Sequence, residues 1–425
     1  MKKKVVALLI TVLAFGILLP MLAPSVNAVS YSGSCGDNLS YEINLDTGEL
    51  IITGSGAMVD FESASETPWY EWRSWITSIQ LPNGLTNIGN SAFVDFNRIT
   101  ELIIPDGVTV IGKNALIRCS RISEIALPDS VEEIGENAFY GCGRLTSITI
   151  PETTTSIGSS AFEGCGNLVS IHLPNGITSI ESETFSGCTK LTQINIPDGV
   201  KRSEHRAFEE CESITTIEIP NSVTNIYSYA FLNCSALTKV VLPDNLEIID
   251  DNCFQGCAAL CEISLPSTIT TIGRYAFSGC TSLANVDIPE RVMLVKDSAF
   301  AWCENLKEIT IPSGVVNIDQ DVFRNCNSLS DVHYSGTEEQ YGKISIETGN
   351  DCLQNATIHF SSVDSESGSG KTQLLRMLEN ESLYRQGRFI EKEHSRVMMI
   401  VLAVCLLVMS VAFFVVSLLL QKKKK

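Results

Sequence analysis

The stretch LTSITIPETTTSIGSSAFEGC, residues 145–165, decides how the whole chain reads. Leu145, Ile148 and Ile150 are apolar residues among polar ones up to Pro151. Ile148 and Ile150 have the period of a strand with one face buried. Proline has no N–H to give to a ladder, so Pro151 ends the strand. Ile157-Gly158 follows, with the glycine suited to a turn. Ala161, Phe162 and Cys165 then stand at helical spacing, which predicts one short helical or 3-10 turn over Ser159–Cys165.

The same phrase returns along the chain. Proline occupies 82, 105, 128, 151, 174, 197, 220, 243, 266, 289 and 312, always 23 residues apart. Cysteine keeps the same interval from Cys119 to Cys326. A fixed period of this length is the signature of a repeat architecture. No single unit can bury its Leu, Ile, Phe and Cys side chains alone, but stacked units can, each position resting on its equivalent in the next coil. Neighbouring strands then form a parallel sheet at about 4.8 Å spacing. The expected fold is a leucine-rich-repeat solenoid over residues 76–334, with a parallel β-sheet on one side and short helical or 3-10 turns on the other. The last strand, Leu329–Tyr334, has Ser335 where proline is due, and the array is expected to stop there.

The phrases IPDGV, IGENAFYGCGRLTSITIP and IGRYAFSGCTSL resemble the BspA-like branch of the leucine-rich-repeat family. The flanks resemble it too: SGSCGDNLSYEINLDTGELIITGSGAM the leading hairpin, VHYSGTEEQYGKISIETGNDCLQNATIHF the end-piece. The resemblance covers roughly residues 31–360. It implies a surface protein engaged in adhesion or in host and matrix recognition, and it brings no catalytic residues to carry over.

The ends carry separate signals. Lys2-Lys3-Lys4, the apolar Val5–Leu19 and the small residues before Ala28 predict a secretion signal over 1–28. Val397–Leu420 has 24 residues without charge or proline. At 1.5 Å per residue it is long enough for a bilayer core of about 30 Å. Lys422–Lys425 beyond it predict a cytoplasmic basic tail, 421–425, and a single pass through the plasma membrane with the repeats outside. In a eukaryotic source the same lysines resemble an endoplasmic-reticulum retrieval signal. Between array and anchor, Ser361–Gly370 reads as a flexible linker and Lys371–Arg396 as a juxtamembrane segment, together 361–396.

With the seven terminal lysines set aside, 23 basic residues face 49 acidic ones, leaving −26 on residues 29–396. Phosphate backbones would be repelled, so nucleic acid is excluded as a partner. The partner that the resemblance implies is a host or matrix protein or another cell-surface ligand. A coat or spacer protein without a specific ligand is the competing reading.

The caps cover sheet edges that would otherwise be sticky. Residues 29–75 are expected to cap the front, with a hairpin of Ser40–Leu45 and Leu50–Thr53 around Asp46–Glu49. Trp69, Trp72 and Trp75 are expected to plug the first coil, with a carbohydrate-stacking patch as the alternative. Residues 335–360 are expected to cap the back, with a strand carrying Ala356, Ile358 and Phe360.

Several constellations invite a chemical reading. The cysteine ladder shares one position and one direction beside phenylalanine, and Phe96 holds the same slot in the first repeat, so core thiols are expected. A local bridge among Cys253, Cys257 and Cys261 stays open. No CxxC pair calls for zinc, and no metal or other cofactor is expected. Gly368–Thr372 imitates a phosphate loop but has Ser365 where the first glycine belongs. The five histidines do not cluster in sequence and no hydrolase motif occurs, so no enzyme is expected. The repeat after Pro197 replaces Ile-Gly by Ser203-Glu204 inside Lys201–Arg206, a basic spot that could hold an anion or simply be drift.

Binding is expected on the outer face of the strands. Residues four and two before each proline point away from the core. The candidate face is Glu101, Glu124, Ser147, Thr149, Ser170, His172, Gln193, Asn195, Glu218, Lys239, Glu262, Asp287 and Glu308.

Overall fold

The structure is a computed structural model that describes residues 30–361. The expected signal segment, linker, membrane helix and basic tail lie outside these residues. Among the described residues no helix is long and apolar enough to cross a membrane.

The described residues divide into two compact units, each a run of parallel-stacked coils. The first runs to Ile177 and adds Gly187–Leu191; the second comprises Thr178–Ser186 and the residues from Thr192 on.

The first unit opens with an antiparallel meander, β1 (Ser30–Gly36), β2 (Leu39–Asn44) and β3 (Glu49–Ala57). The expected hairpin is β2–β3; β1 is an additional strand. β3 then pairs in parallel with Ser78–Gln80 and Gly84–Ile88, so the meander covers the edge of the first coil. The strands Glu124–Ala126, Ser147–Thr149 and Ser170–His172 stack one residue for one residue, 23 apart. Proline marks the end of each, as its missing donor requires. A second parallel ladder runs through Asn87-Ile88, Val110-Ile111, Glu133-Ile134 and Ser156-Ile157. A regular coil therefore carries two strands, the second built on the Ile of the Ile-Gly pair, while residues 101–104 form only the isolated bridge of Ile103 with Ala126.

The second unit repeats this plan. One ladder joins Asn285–Asp287, Glu308–Ile311, Asp331–Tyr334 and Thr357–Phe360. The other joins Ile248-Ile249, Thr271-Ile272, Leu294-Val295, Asn317-Ile318 and Ser345-Ile346. Both ladders continue past Tyr334, so residues 335–360 add a further coil rather than only covering the last one. Two one-turn helices, α1 (Glu338–Tyr341) and α2 (Cys352–Asn355), sit in this final coil.

The turn opposite the strands corrects the sequence reading. No α or 3-10 helix forms between residues 76 and 334. Ala161, Phe162 and Cys165 are buried as their spacing demanded, but Ser160 has φ 55° and Gly164 φ 70°. Two left-handed residues within five leave only isolated i to i+3 bonds, such as Glu163 N–H to the Ser160 carbonyl, and the segment is a chain of turns. Gly158 has a different duty from a turn: a Cβ there would lie 2.5 Å from the Glu136 backbone nitrogen of the preceding coil.

The core is a set of one-residue-wide columns. In the second unit Phe185, Phe208, Phe231, Phe254, Phe277, Phe300 and Phe323 stack ring on ring at 5.2–5.9 Å, within 13° of parallel. In the first unit Trp69 takes the place of a ring, stacked on Phe93 at 5.7 Å. Its Nε1 donates to the Ala92 carbonyl at 2.6 Å, so it plugs the first coil with its polar atom satisfied. Trp72 stacks on Tyr31 at 4.7 Å, and Trp75 is exposed. The three tryptophans do not form one sugar-stacking patch.

Candidate binding face

The cysteines of the ladder form one buried column. Fourteen cysteines are described and all are free thiols, Cys253, Cys257 and Cys261 among them. Each ladder thiol donates to the carbonyl 26 residues earlier: Cys165 to Phe139 at 3.3 Å, Cys234 to Phe208 at 3.1 Å, Cys326 to Phe300 at 3.1 Å. Cysteine is thus the small apolar residue that fits beside phenylalanine and satisfies a carbonyl of the coil before it. Burial pushes the thiols of Cys142, Cys188, Cys234 and Cys326 up to about 12. The thiolate is the nucleophile and the metal ligand, so these groups are inert at neutral pH. One grouping of metal-ligand type occurs among the described residues, Asp297, Asp319 and Glu347 within 4.8 Å. It consists of three carboxylates with no histidine or cysteine, and nothing further there points to an ion.

The basic repeat resolves into paired charges. Arg202 Nε lies 2.6 Å from Glu204 Oε1, and Arg206 donates to both Glu209 oxygens at 2.9 and 3.0 Å. Arg206 also covers the Tyr229 ring at 4.6 Å. Both guanidiniums are thus engaged by carboxylates of their own chain. Ser203 takes the buried isoleucine position, 2% exposed and in register with Ile180 and Ile226. Its hydroxyl has no hydrogen-bond partner among the described residues. A buried unsatisfied hydroxyl costs about 1–3 kcal/mol. Ser203→Val, the residue at the equivalent Val295, is expected to stabilise the protein by about that amount. Urea denaturation followed by circular dichroism checks it; a lower midpoint would remove the account of this repeat.

All thirteen candidate residues are exposed. The ladders bring them together in registered rows. In the first unit Glu124, Ser147 and Ser170 lie side by side, as do Thr149 and His172. In the second, Lys239 stands opposite Thr216, Glu218 opposite Val241, Glu308 opposite Asn285 and Asp287 opposite Thr310. Glu101 and Glu262 fall on coils without a strand at that position. Some candidates are engaged locally. His172 Nε2 lies 3.2 Å from Glu152 Oε1, and Asp287 accepts from Thr310 at 2.6 Å. Glu308 lies 2.9 Å from His333 Nε2, whose ring stacks on His359 at 4.7 Å. That histidine pair joins residues 26 apart, which sequence spacing could not reveal because the final coil departs from the 23-residue period. Glu101, Glu124, Glu218, Lys239 and Glu262 have no side-chain hydrogen bond or ion pair among the described residues. The rows thus present polar groups available to a partner, with Ile103, 78% exposed, and Val241, 45% exposed, set among them.

Comparison with known proteins now has a geometry to meet. The family model for the BspA type leucine rich repeat region matches six copies, over residues 69–174, 155–262 and 247–366. The chain belongs to this family. Its coils agree with a leucine-rich repeat protein of Bacteroides ovatus, 24% identical, covering 77% of this chain and 99% of that one at a TM-score of 0.50. A leucine rich cell surface protein of Faecalibacterium prausnitzii is 27% identical over 76% of this chain and 98% of that one, at 0.39. The pneumococcal vaccine antigen PcpA is 19% identical over 79% of this chain and all of that one, at 0.44. No curated protein matches the chain. Membership in this repeat family makes the chain a leucine-rich-repeat scaffold.

Proposed function

We propose that this BspA-type chain is a non-catalytic, membrane-anchored cell-surface protein whose outer strand face binds a host or matrix protein in adhesion. The registered rows of exposed polar side chains carry this reading, because nothing in the fold calls for them and they recur on strand after strand. The row has few of the Trp, Tyr and Arg anchors that dominate tight interfaces. Weak contacts repeated along the face, and many copies on one cell, supply avidity instead. The signal segment and the apolar 397–420 stretch support the address.

The test displays the full chain on cells and measures retention on surfaces coated with matrix proteins or host cells. Retention several-fold above undecorated cells is expected. It should drop when Glu101, Glu124, Glu218, Glu262 and Glu308 are changed together to lysine. No retention on any surface, with self-association of the displayed chain, would replace this reading with a coat protein.

A further inference from the structure

The two ends of the array are finished differently. At the front the meander covers the first coil, and its outermost strand β1 shows exposed serines at Ser30, Ser32 and Ser34. At the back, Ser345-Ile346 is the last strand of one ladder and Thr357–Phe360 the last of the other. Neither has a ladder partner on its far side among the described residues. The inward residues there are uncovered. Ile346 is 42% exposed, while Val295 and Ile318, which precede it in the ladder, are 3% and 1% exposed. Ile358 and Phe360 are half-buried, while Val332 and Tyr334, in register with them, are buried.

The open edge has a definite hydrogen-bonding side. Ser345 and Glu347 give their N–H groups to the Val316 and Ile318 carbonyls of the preceding coil, at 3.1 and 2.9 Å. Successive residues of a strand turn their N–H and C=O to opposite sides. Ile346 between them therefore turns both groups away from the array. Such an edge is a template for another strand, and natural sheets often guard it with charged side chains. Here the charges favour pairing instead, because Lys343-Ile344-Ser345-Ile346-Glu347 is its own complement. Laid antiparallel on a second copy about a two-fold axis at Ser345, lysine faces glutamate twice and isoleucine faces isoleucine twice. Only this register sets both lysines opposite glutamates.

The surroundings favour an incoming lysine. One carboxylate oxygen each of Glu347, Asp297 and Asp319 lie within 4.8 Å of one another, with Arg274 3.4 Å from Asp297. Lys343 is paired with Glu339 at 2.8 Å, and both side chains are well exposed. Exposed pairs of this kind contribute little. Lys343 can thus turn to the second copy's Glu347 at small cost.

We infer that the final coil is a docking edge for a second copy of this chain, joined two-fold and antiparallel through Lys343–Glu347. The Ile346 N–H donates to the second copy's Ile344 carbonyl, and symmetry makes the bond twice. Ile344 keeps its own N–H on the Tyr341 carbonyl at 3.0 Å. Ser345 then faces its equivalent in a non-hydrogen-bonded pair, with about 4.5 Å between Cα atoms. The exposed Ile346 is covered, and the ladder runs on from one copy into the other. An edge this short gives a weak dimer, since stable interfaces bury far more surface. Copies anchored by the apolar 397–420 stretch, as proposed above, share one membrane, which raises their effective concentration. The dimer goes beyond the adhesion reading and uses none of the outer-row residues.

The test displays the full chain on cells and reads disulfide-linked dimers on a non-reducing gel. The parent sets the baseline, because Cys261 is already exposed. Ser345→Cys is expected to give dimers several-fold above it, since a Cα separation of about 4.5 Å suits a disulfide. Thr149→Cys, exposed on a regular coil, is expected to stay at the baseline. Lys343→Glu or Glu347→Lys, added to Ser345→Cys, sets like charges across the edge and should cut the yield several-fold. Cells carrying both altered chains should recover it, because each chain then meets its opposite, whereas a misfolded chain would not recover. Linkage at Ser345→Cys no greater than at Thr149→Cys overturns the dimer. The same result with the Ser345→Cys thiol closed to a water-soluble maleimide overturns it too, and assigns the edge to another segment of this chain. A yield indifferent to both charge changes overturns the two-fold edge. Retention on matrix is a separate readout, so the dimer and the adhesion reading fail independently.

Discussion

Raising the pH from 8 toward 10.5 is expected to unfold the repeat array in a steep transition. Thiols ionise near 8.5–9 in an unfolded chain. In the folded coils, burial holds Cys142, Cys188, Cys234 and Cys326 up to about 12, and places Cys119, Cys165, Cys253, Cys257 and Cys303 well above the ordinary value. The folded values are raised, so the stabilisation is complete below about pH 9 and is lost as pH climbs toward the folded values. Each such thiol removes about 1.4 kcal/mol per pH unit in that interval. The four near 12 together remove roughly 5 kcal/mol per unit, comparable to the whole stability of an ordinary domain. Circular dichroism across an alkaline titration under reductant reads the transition. Changing Cys142 and Cys234 to valine should move its midpoint to higher pH. A midpoint that ignores these substitutions would show that lysine or tyrosine titration governs alkaline unfolding.

Phe231→Ala is expected to lower stability by about 3–5 kcal/mol, the cost of deleting a fully buried ring. The Phe231 ring stacks on Phe208 at 5.2 Å and on Phe254 at 5.4 Å, so its removal breaks two contacts between coils. A repeat array is held together by just such nearest-neighbour terms. The damage should therefore appear as weakened coupling, with the unfolding curve broadening or dividing in two. Phe231→Leu is expected to cost less than about 1.5 kcal/mol. The first unit already shows leucine in this column, where Leu116 is fully buried. Urea denaturation of the two variants separates the outcomes. Equal losses for alanine and leucine would mean that ring stacking, rather than filled volume, sustains the column.

Much of the architecture was legible in the chain. Pro151 and its equivalents marked where each strand ends, because a residue without an N–H cannot sit inside a ladder. The inward pairs such as Ile148 and Ile150 marked the buried face, and their polar neighbours Ser147 and Thr149 the candidate rows. The phenylalanine and cysteine columns followed from the same period. The turn side misled for a definite reason. Ala161, Phe162 and Cys165 have helical spacing, but burial on one side is all that spacing reports. The left-handed backbone at Ser160 and Gly164 is what shapes the segment, and serine advertises no such preference.

The loosened coil at residues 262–265 lay beyond sequence reading altogether. Glu262-Ile263-Ser264-Leu265-Pro266 keeps the pattern of Ser147-Ile148-Thr149-Ile150-Pro151, yet one coil is open and the other closed. The period, the buried columns and the strand ends are properties of one unit repeated, so they could be counted along the chain. Whether a coil sits flush, which neighbouring charges meet, and where an edge stays unpaired depend on how one coil rests on the next. Those are contacts between residues 23 or more apart, and only the packed coils decide them.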